Sequence, residues 1–309
     1  MKSFERLHRL LNDNAIAVAP DIYSHETIAQ INSLVDPIIA AQQGNRRYVS
    51  ALELQQLGLL ETIFSPTLQN ILTDLIPEPE LYHCHIYEIS ANQSLPHIKS
   101  NNQLHGWHRD TDCKHDFSKQ NLQHVSFFVY LTNVENNGGC FEISDKKLTF
   151  TPAINNSDTC YQLVGNSGFN FFFDRKSLHR ASPNRSETPR RVLKISIQSR
   201  HLFNHKKRET IFKLVRENLS EEQLMLKQLF GDCTVTAVAP ELAAESIQHI
   251  NEHTQLPHHR YQASFTLNEN ITRWYRDARF IMRRLAVKYL KLNDKKVPTP
   301  KIPFKEQKG

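Results

Sequence analysis

Hydrophobic residues recur at helical spacing through the first 76 residues of the chain. Ser24 stands before the clearest of these stretches, and serine is a residue type that caps helix N-termini. Pro77 and Pro79 then end the pattern. The apolar side chains after Ser24 fall every three or four positions, as one face of a helix requires, at Ile28, Ile31, Leu34, Val35, Ile38 and Ile39. We therefore predict helices over residues 1–76.

From about Leu81 to Gln198 the pattern changes to short runs of β-branched and aromatic residues, separated by Asn, Gly, Ser and Pro. The runs read LYHCHIYEI, HVSFFVYL, CFEI, CYQLVG, FNFFF and RVLKISI. About six or seven strands without helices between them are typical of an antiparallel sandwich or jelly roll.

After Arg200 the apolar spacing becomes helical again, over residues 206–230, 240–251 and 271–291. In the last segment the apolar residues share one face of the helix, and Arg and Lys side chains lie elsewhere around it. These changes of pattern predict a domain over residues 1–200 that carries the chemistry, with its β core at about 81–198. A helical extension over residues 201–309 follows and ends in a basic segment.

The composition is that of an ordinary globular protein, with 39% hydrophobic and 23% charged residues. Apolar runs such as VSFFVYL at 125–131 are too short to span a bilayer, and the first residues lack the apolar stretch of a signal peptide. The five cysteines are widely spaced and form no C-x-x-C pair, which favours free thiols in a reducing compartment. We expect a cytoplasmic protein.

The net charge of +6 is unevenly distributed along the chain. Residues 271–309 hold 12 Lys and Arg against 3 Asp and Glu, a balance of +9, so the other 270 residues carry 26 against 29, or −3. A solvated helix is the default interpretation of this basic segment. The alternative partners are an anionic membrane surface, with the protein peripheral on the inner membrane face, or an acidic substrate. No nucleic acid is expected as a partner, because no nucleic-acid-binding motif is present in the sequence.

The stretch HGWHRDTD, residues 105–112, contains the first candidate metal ligands. In an extended chain residues i and i+2 point to the same face, so the His108 imidazole and the Asp110 carboxylate would converge on one point. Such a pair is part of the two-histidine-one-carboxylate triad of non-haem Fe(II) oxygenases. Taken alone, the stretch is more typical of a solvated, charge-rich loop.

A second stretch of the sequence favours a metal site over a solvated loop. Residues 165–196 read as a strand, then His179, then a connection with two prolines, then a strand that begins at Arg190. Such a connection sends the chain back antiparallel, so the residues that flank it can share one end of a barrel. A metal held by His108, Asp110 and His179 keeps coordination positions free, and a nearby guanidinium suits a bidentate carboxylate contact. These are the requirements of 2-oxoglutarate as a co-substrate.

Four segments in order carry a family resemblance: WHRD at 107–110, FFVYLTNVENNGG at 127–139, GFNFFFDRKSLHRASPN at 168–184 and RR at 190–191. Over residues 14–198 the chain resembles the phytanoyl-CoA dioxygenase family of Fe(II)/2-oxoglutarate oxygenases. The resemblance implies a fold that is mainly β with α. Its core would be a double-stranded β-helix (jelly roll, cupin-like), with N-terminal helices and a C-terminal helical extension.

The resemblance also implies the residues of the site. The implied catalytic iron ligands are His108, Asp110 and His179. Arg190 would bind 2-oxoglutarate, with Arg191 as the alternative because only one of two adjacent strand residues points inward. Tyr130 would contact the same co-substrate. The implied cofactors are Fe(II), 2-oxoglutarate and O2.

The implied activity is hydroxylation of an unactivated C–H bond in a small-molecule metabolite or natural-product intermediate. An alternative is a hydroxylase of a sugar or lipid headgroup, of the lipopolysaccharide type, at the membrane surface. A reading of another class is a non-catalytic jelly-roll binding protein, which the complete ligand set disfavours. Two departures leave the substrate open. Relatives often have a Pro-Gly-Ser-His turn where this chain reads CFEISDKKLTF at 140–150, and the region after residue 200 has no counterpart.

A rival metal motif lies at His83, His85 and Glu88, whose spacing is similar to that of cupins. Cupins bracket this motif with glycines, and no glycine occurs between Gly58 and Gly106. The preferred interpretation is that His83, His85 and Tyr87 form one face of a strand and line the same cavity as the iron ligands.

Overall fold

A computed structural model describes residues 4–94, 106–110, 122–145, 154, 156, 158–200 and 210–264, together with 266, 267, 271, 278 and 282. The chain divides into two compact units, Met1–Ser264 and Phe265–Gly309, and every helix and strand named below belongs to the first. The predicted basic helix at 271–291 lies almost entirely outside the described residues, so its proposed partners stay predictions. The division of roles predicted at residue 200 also stays a prediction.

Five helices precede the first long strand. They are α1 (Glu5–Asn14), α2 (His25–Ala40), α3 (Ala51–Gln56), α4 (Leu60–Ile63) and α5 (Pro66–Leu75). The predicted cap of α2 is confirmed, because the Ser24 hydroxyl accepts a hydrogen bond from the Thr27 backbone N–H at 3.2 Å. Pro66 occupies the first turn of α5, where proline removes no helical hydrogen bond.

The larger sheet has six antiparallel strands in the order β1-β7-β4-β9-β3-β2. These strands are β1 (Ile16–Val18), β2 (Arg46–Ser50), β3 (Pro79–Ile89), β4 (His124–Tyr130), β7 (Asn170–Asp174) and β9 (Arg190–Ser199). The smaller sheet has four antiparallel strands in the order β10-β6-β5-β8. These are β5 (Phe141–Ser144), β6 (Thr159–Leu163), β8 (His179–Ala181) and β10 (His259–Gln262). The prediction of a mainly β core is confirmed.

Both faces of the larger sheet are buried. On the outer face Phe127, Phe172 and Ile195 join one apolar cluster with the side chains of α2 and α5. On the inner face Phe128 and Phe171 join a second cluster with residues of the smaller sheet. Burial on both faces explains why runs such as FNFFF are apolar without the alternation of a half-exposed strand.

The structure differs from the expectation at three short strands, β1, β2 and β10. Helix alone over residues 1–76 is wrong at β1 and β2, which are only three and five residues long and are specified by pairing with β7 and β3. The connection after His179 leads from one sheet to the other, because β8 pairs with β5 in the smaller sheet while β9 lies in the larger one. The strand β10 was not predicted.

The helices after residue 200 fall in the predicted segments. They are α6 (Thr210–Glu217), α7 (Leu224–Leu229) and α8 (Ala244–His253). In the part of the chain that the structure describes, no helix has the length and apolar character needed to cross a bilayer.

Candidate metal centre

The two predicted histidine ligands face each other across a short antiparallel pairing. His108 and His179 exchange both backbone hydrogen bonds, each at 2.9 Å, and their ring centroids lie 4.5 Å apart. His179 begins β8, while His108 lies in the described segment 106–110 beside it. The pairing therefore holds the segment that contains His108 and Asp110 beside the strand that begins at His179.

Each imidazole is oriented by the backbone carbonyl of the residue two positions before it. The Nδ1 atom of His108 lies 2.8 Å from the Gly106 carbonyl oxygen, and Nδ1 of His179 lies 2.9 Å from the Ser177 carbonyl oxygen. A carbonyl only accepts, so each Nδ1 carries the proton and donates it. Both Nε2 atoms then present a lone pair, which is the tautomer that a metal ligand requires.

Asp110 completes the cluster. Its Oδ1 lies 3.9 Å from His108 Nε2, and its Oδ2 lies 3.8 Å from His179 Nε2. One ligand atom from each of the three residues lies within 4.8 Å of the other two. This spacing is wide enough for a shared ion and too long for direct hydrogen bonds. The donor set of two imidazole nitrogens and one carboxylate oxygen matches the facial triad of non-haem iron.

Arg175 holds the carboxylate in place. Its Nε and Nη2 atoms lie 2.8 and 2.7 Å from Asp110 Oδ2, and its guanidinium carbon lies 4.5 Å from the centre of the Tyr82 ring. The Arg175 side chain is fully buried. These contacts orient the Asp110 carboxylate beside the two imidazoles.

The protonation states suit metal binding. Burial lowers the pKa of His179 to about 3, helped by the neighbouring His108, and burial also lowers the pKa of His108. Burial by itself raises the pKa of Asp110, but the positive charge of Arg175 and the nearby His179 and Lys194 hold it well below its usual value. Neutral imidazoles and an ionised carboxylate are therefore the stable forms at neutral pH.

Arg190 lies on the inner face of the larger sheet and is 1% exposed. Its Nη2 donates to the Tyr87 hydroxyl at 2.6 Å, and its Nη1 donates to the Gly139 carbonyl oxygen. The Nε of Arg190 has no hydrogen-bond partner among the described residues. Its hydrogen-bond partners are neutral groups, so the charge of Arg190 is not balanced by these contacts.

Arg191 points to the opposite face. It lies 2.8 Å from Glu88 and 2.7 Å from Asp36 of α2, and Asn32 accepts a further bond at 2.8 Å. The other predicted co-substrate residue, Tyr130, is fully buried. Its hydroxyl donates to the Leu163 carbonyl oxygen at 2.8 Å and accepts from the Phe141 backbone N–H at 3.0 Å.

The rival cupin-like set does not come together. His83 and His85 lie on the inner face of β3, whereas the Glu88 carboxylate contacts Arg47 and Arg191 on the outer face. Among the described residues, the group with metal-ligand spacing is His108, Asp110 and His179. The rings of His83, His85 and Tyr87 follow one another at centroid distances of 5.5 and 5.9 Å, as expected for one strand face.

Solved structures with this architecture include enzymes that use the implied cofactors. The non-heme alpha-ketoglutarate-dependent epimerase SnoN from nogalamycin biosynthesis matches over 63% of this chain and 83% of its own, with 15% identity and a TM-score of 0.51. The chain shares the fold of SnoN. AviO1 from Streptomyces viridochromogenes Tue57 covers 66% of this chain and 98% of its own at 13% identity and a TM-score of 0.49.

HygX from Streptomyces hygroscopicus, with iron bound, covers 63% of this chain and 86% of its own at 13% identity and a TM-score of 0.49. At these identities the likeness to SnoN shows the fold, a double-stranded β-helix, and AviO1 and HygX add no argument beyond it. No protein-family model and no curated protein matches the chain, so membership of the phytanoyl-CoA dioxygenase family stays a prediction.

One residue of the site, Arg175, was missed from the sequence, as was the contact of Tyr87 with Arg190. Arg175 lies 65 positions from Asp110 and follows β7 in an ordinary FDRK run, which carries no signal of a contact with a ligand. Tyr87 was expected to line the cavity, but its hydrogen bond with Arg190 depends on the register of β3 with β9. A strand alignment would have placed Tyr87 opposite Val192, two positions from Arg190.

Proposed function

We propose that this protein is an Fe(II)- and 2-oxoglutarate-dependent oxygenase that hydroxylates an unactivated C–H bond of a small-molecule metabolite or natural-product intermediate. The observation that supports it most is the convergence of His108, Asp110 and His179, with both histidines oriented to present Nε2. SnoN, which shares the fold, comes from nogalamycin biosynthesis, and this favours a natural-product intermediate as substrate. When bound, Fe(II), 2-oxoglutarate and O2 supply the oxidising chemistry.

The residues of the chain have the task of binding and positioning. His108, His179 and the Asp110 carboxylate would hold the metal on one side and leave the opposite side for other ligands. Arg190 would bind the distal carboxylate of 2-oxoglutarate, because it faces inward and its hydrogen-bond partners are neutral. Arg191 is not favoured for this role, because it is paired with carboxylates on the outer face.

The surroundings of the centre would exclude water. The His179 ring lies 5.4 Å from the Phe141 ring and 5.2 Å from the Phe173 ring, centroid to centroid. These rings are buried and form one wall of the space between the sheets. Such an apolar wall protects a reactive site from competing reactions with solvent.

The proposal is tested by succinate release from 2-oxoglutarate in the presence of Fe(II) and O2. We expect the wild-type protein to release succinate slowly without a second substrate, and His108→Ala to lose at least about 100-fold of this rate. His249→Ala is the matched control, because His249 is exposed on α8 and contacts His253 away from the centre. Equal rates in the wild type and in His108→Ala, or no Fe(II) uptake by the wild type, would contradict the proposal.

A further inference from the structure

The inner face of β3 and β9 carries polar side chains close to the metal centre. The register places His85 opposite Lys194 and His83 opposite Ser196. Lys194 is near enough to His108, Asp110 and His179 to influence the protonation of all three. A molecule bound between the two sheets beside the metal would therefore meet Lys194 and His85.

The edge strand β2 extends this face. Tyr48 lies opposite Tyr87, and the guanidinium carbon of Arg46 lies 4.7 Å from the Tyr48 ring centre and 5.0 Å from the Tyr87 ring centre. The Nε atom of Arg46 is buried and has no hydrogen-bond partner among the described residues. No carboxylate of the described residues forms an ion pair with Arg46, and among these residues its charge lies against the two ring faces.

The histidine between these cations adds hydrogen-bonding capacity without charge. Burial lowers the pKa of His85 to about 3, and the charges of Lys194 and Arg46 act in the same direction. The imidazole is therefore neutral at neutral pH, with one nitrogen that donates and one that accepts. Its Nε2 is buried without a hydrogen-bond partner among the described residues. A buried polar atom of this kind indicates a missing ligand or water.

The face is open at the β2 side. Tyr48 is 39% exposed, and Arg46, His85 and Lys194 are half-buried, although Val192 beside them is fully buried. Because these three side chains keep part of their surface exposed, we infer that solvent, and hence a ligand, reaches them along this edge, although Arg46 Nε and His85 Nε2 are themselves buried.

Tyr87 separates two cationic positions. Arg190 approaches the Tyr87 ring from β9, at 5.5 Å, and Arg46 approaches it from β2 on the other side of β3, at 5.0 Å. If Arg190 binds the distal carboxylate of 2-oxoglutarate, Arg46 remains for a different anion. The charge of this second position fits a substrate that carries an anionic group.

We propose that Lys194, Arg46 and His85 form the recognition site for a carboxylate or phosphate group on the substrate that the metal centre acts on. This inference rests on the proposed function, because it assigns Arg190 to 2-oxoglutarate and the metal to the triad. The anionic group binds at the β2 side of Tyr87, and the part of the substrate to be oxidised then extends from Lys194 toward His108 and Asp110.

The test uses the full chain loaded with Mn(II) and 2-oxoglutarate, with inorganic phosphate and acetate as separate probes. The binding of Mn(II) and 2-oxoglutarate is first measured by electron paramagnetic resonance for the wild type and each variant. Nuclear relaxation of the phosphate phosphorus and of the acetate carboxyl carbon then reports binding near the manganese ion. The variants are Lys194→Met and Arg46→Met. The matched control is Lys213→Met, because Lys213 is exposed on α6 and contacts Glu217.

We expect at least one probe to show saturable relaxation enhancement, and the apparent affinity to fall about tenfold in each of the two variants and to stay unchanged in Lys213→Met. The probe with the larger response identifies phosphate or carboxylate as the group. Equal probe binding in the wild type, Lys194→Met and Arg46→Met would overturn the inference while Mn(II) and 2-oxoglutarate binding still supports the proposed function. A loss of 2-oxoglutarate affinity in Lys194→Met without a change in probe binding would also overturn it. Failure of the wild type to bind Mn(II) would overturn both proposals.

Discussion

An arginine on the outer face of the larger sheet is paired with carboxylates, whereas an arginine on the inner face is bonded to neutral groups. Adjacent strand residues point to opposite faces, and the pair Arg190 and Arg191 shows the contrast directly. On the outer face, Arg191 lies within 2.8 Å of Glu88 and 2.7 Å of Asp36. On the inner face, the hydrogen-bond partners of Arg190 are the Tyr87 hydroxyl and the Gly139 carbonyl oxygen.

The difference distinguishes charged side chains that stabilise the fold from charged side chains that are available to bind a ligand. A buried charge is costly unless an opposite charge balances it. The charge of Arg191 is balanced by the carboxylates of Glu88 and Asp36, and these ion pairs join α2 to the sheet. Arg191 therefore has no need of a ligand anion. The carboxylates that would balance Arg190 are not among its hydrogen-bond partners, which is the arrangement expected when the anion is brought by a ligand.

The carboxylates show the same contrast. Glu88, on the outer face, contacts both Arg47 and Arg191. Asp110, in the centre, binds Arg175 through Oδ2, while its Oδ1 lies 3.9 Å from His108 Nε2 and its Oδ2 lies 3.8 Å from His179 Nε2, both beyond hydrogen bonding. Glu88 contacts two arginines, whereas Asp110 contacts one arginine and lies beside the two imidazoles of the candidate metal centre. The following substitutions test this division.

The largest effect is expected for Arg191→Met, which should lower the free energy of unfolding by about 3 kcal/mol. The substitution removes one partner of a buried ion pair and leaves Glu88 with Arg47 alone. Urea unfolding measures the change, and the affinity for 2-oxoglutarate should stay at the wild-type value in the folded protein. Unchanged stability, or a large loss of 2-oxoglutarate affinity, would show that the outer arginine is not structural.

Arg190→Met is the matched inner substitution. We expect about a 100-fold loss of 2-oxoglutarate affinity, equivalent to about 2.7 kcal/mol, because the distal carboxylate loses its charged partner. Stability should fall less than in Arg191→Met, since no protein carboxylate loses its partner. The measurement is the KM for 2-oxoglutarate in the succinate assay, with the midpoint of urea unfolding beside it. A wild-type KM in this variant would remove Arg190 from the co-substrate site.

The face that each arginine occupies illustrates what could be predicted from sequence. Strand β9 was expected to begin at Arg190, and alternation along a strand requires that Arg190 and Arg191 face opposite sides. Which of the two points inward depends on how β9 pairs with β3 and β4. The register with β3 comes from contacts over more than one hundred positions along the chain and the register with β4 from contacts over more than sixty, so the local pattern does not contain it.

The proposed metal ligands were easier to predict from the sequence than the residues around them. His108 and Asp110 are two positions apart, and His179 follows a recognisable strand, so the local pattern and the family resemblance both indicated them. Arg175 and Lys194 carry no such pattern, because each reaches the centre only through the packing of distant strands. The short strands β1 and β2 were missed for the same reason.

Arg175→Met tests how the Asp110 carboxylate is oriented. We expect about a tenfold loss of Mn(II) or Fe(II) affinity, because Asp110 loses the bonds that orient it toward the imidazoles. Equilibrium dialysis under anaerobic conditions measures this affinity. Arg47→Met is the outer-face control, since Arg47 contacts Glu88 away from the centre, and it should leave metal affinity unchanged. Equal metal affinity in both variants would mean that Arg175 only fills space beneath the ligands.

Tyr130→Phe gives the smallest expected effect and decides between two roles for this tyrosine. The resemblance predicts contact with 2-oxoglutarate, whereas the hydroxyl bonds the Leu163 carbonyl oxygen and the Phe141 backbone N–H. We expect a loss of about 1–2 kcal/mol in unfolding free energy, because both backbone groups lose a buried partner. The KM for 2-oxoglutarate should change by less than about twofold.

Tyr23→Phe is the outer-face counterpart, because the Tyr23 hydroxyl donates to the Ile63 carbonyl oxygen at 2.5 Å in the helical layer. Both tyrosine variants should lose similar stability and keep the same KM, since a hydroxyl bonded to backbone serves the fold on either face. A tenfold rise in KM confined to Tyr130→Phe would instead place Tyr130 against the co-substrate. The inner face would then use a neutral hydroxyl, as well as Arg190, to bind 2-oxoglutarate.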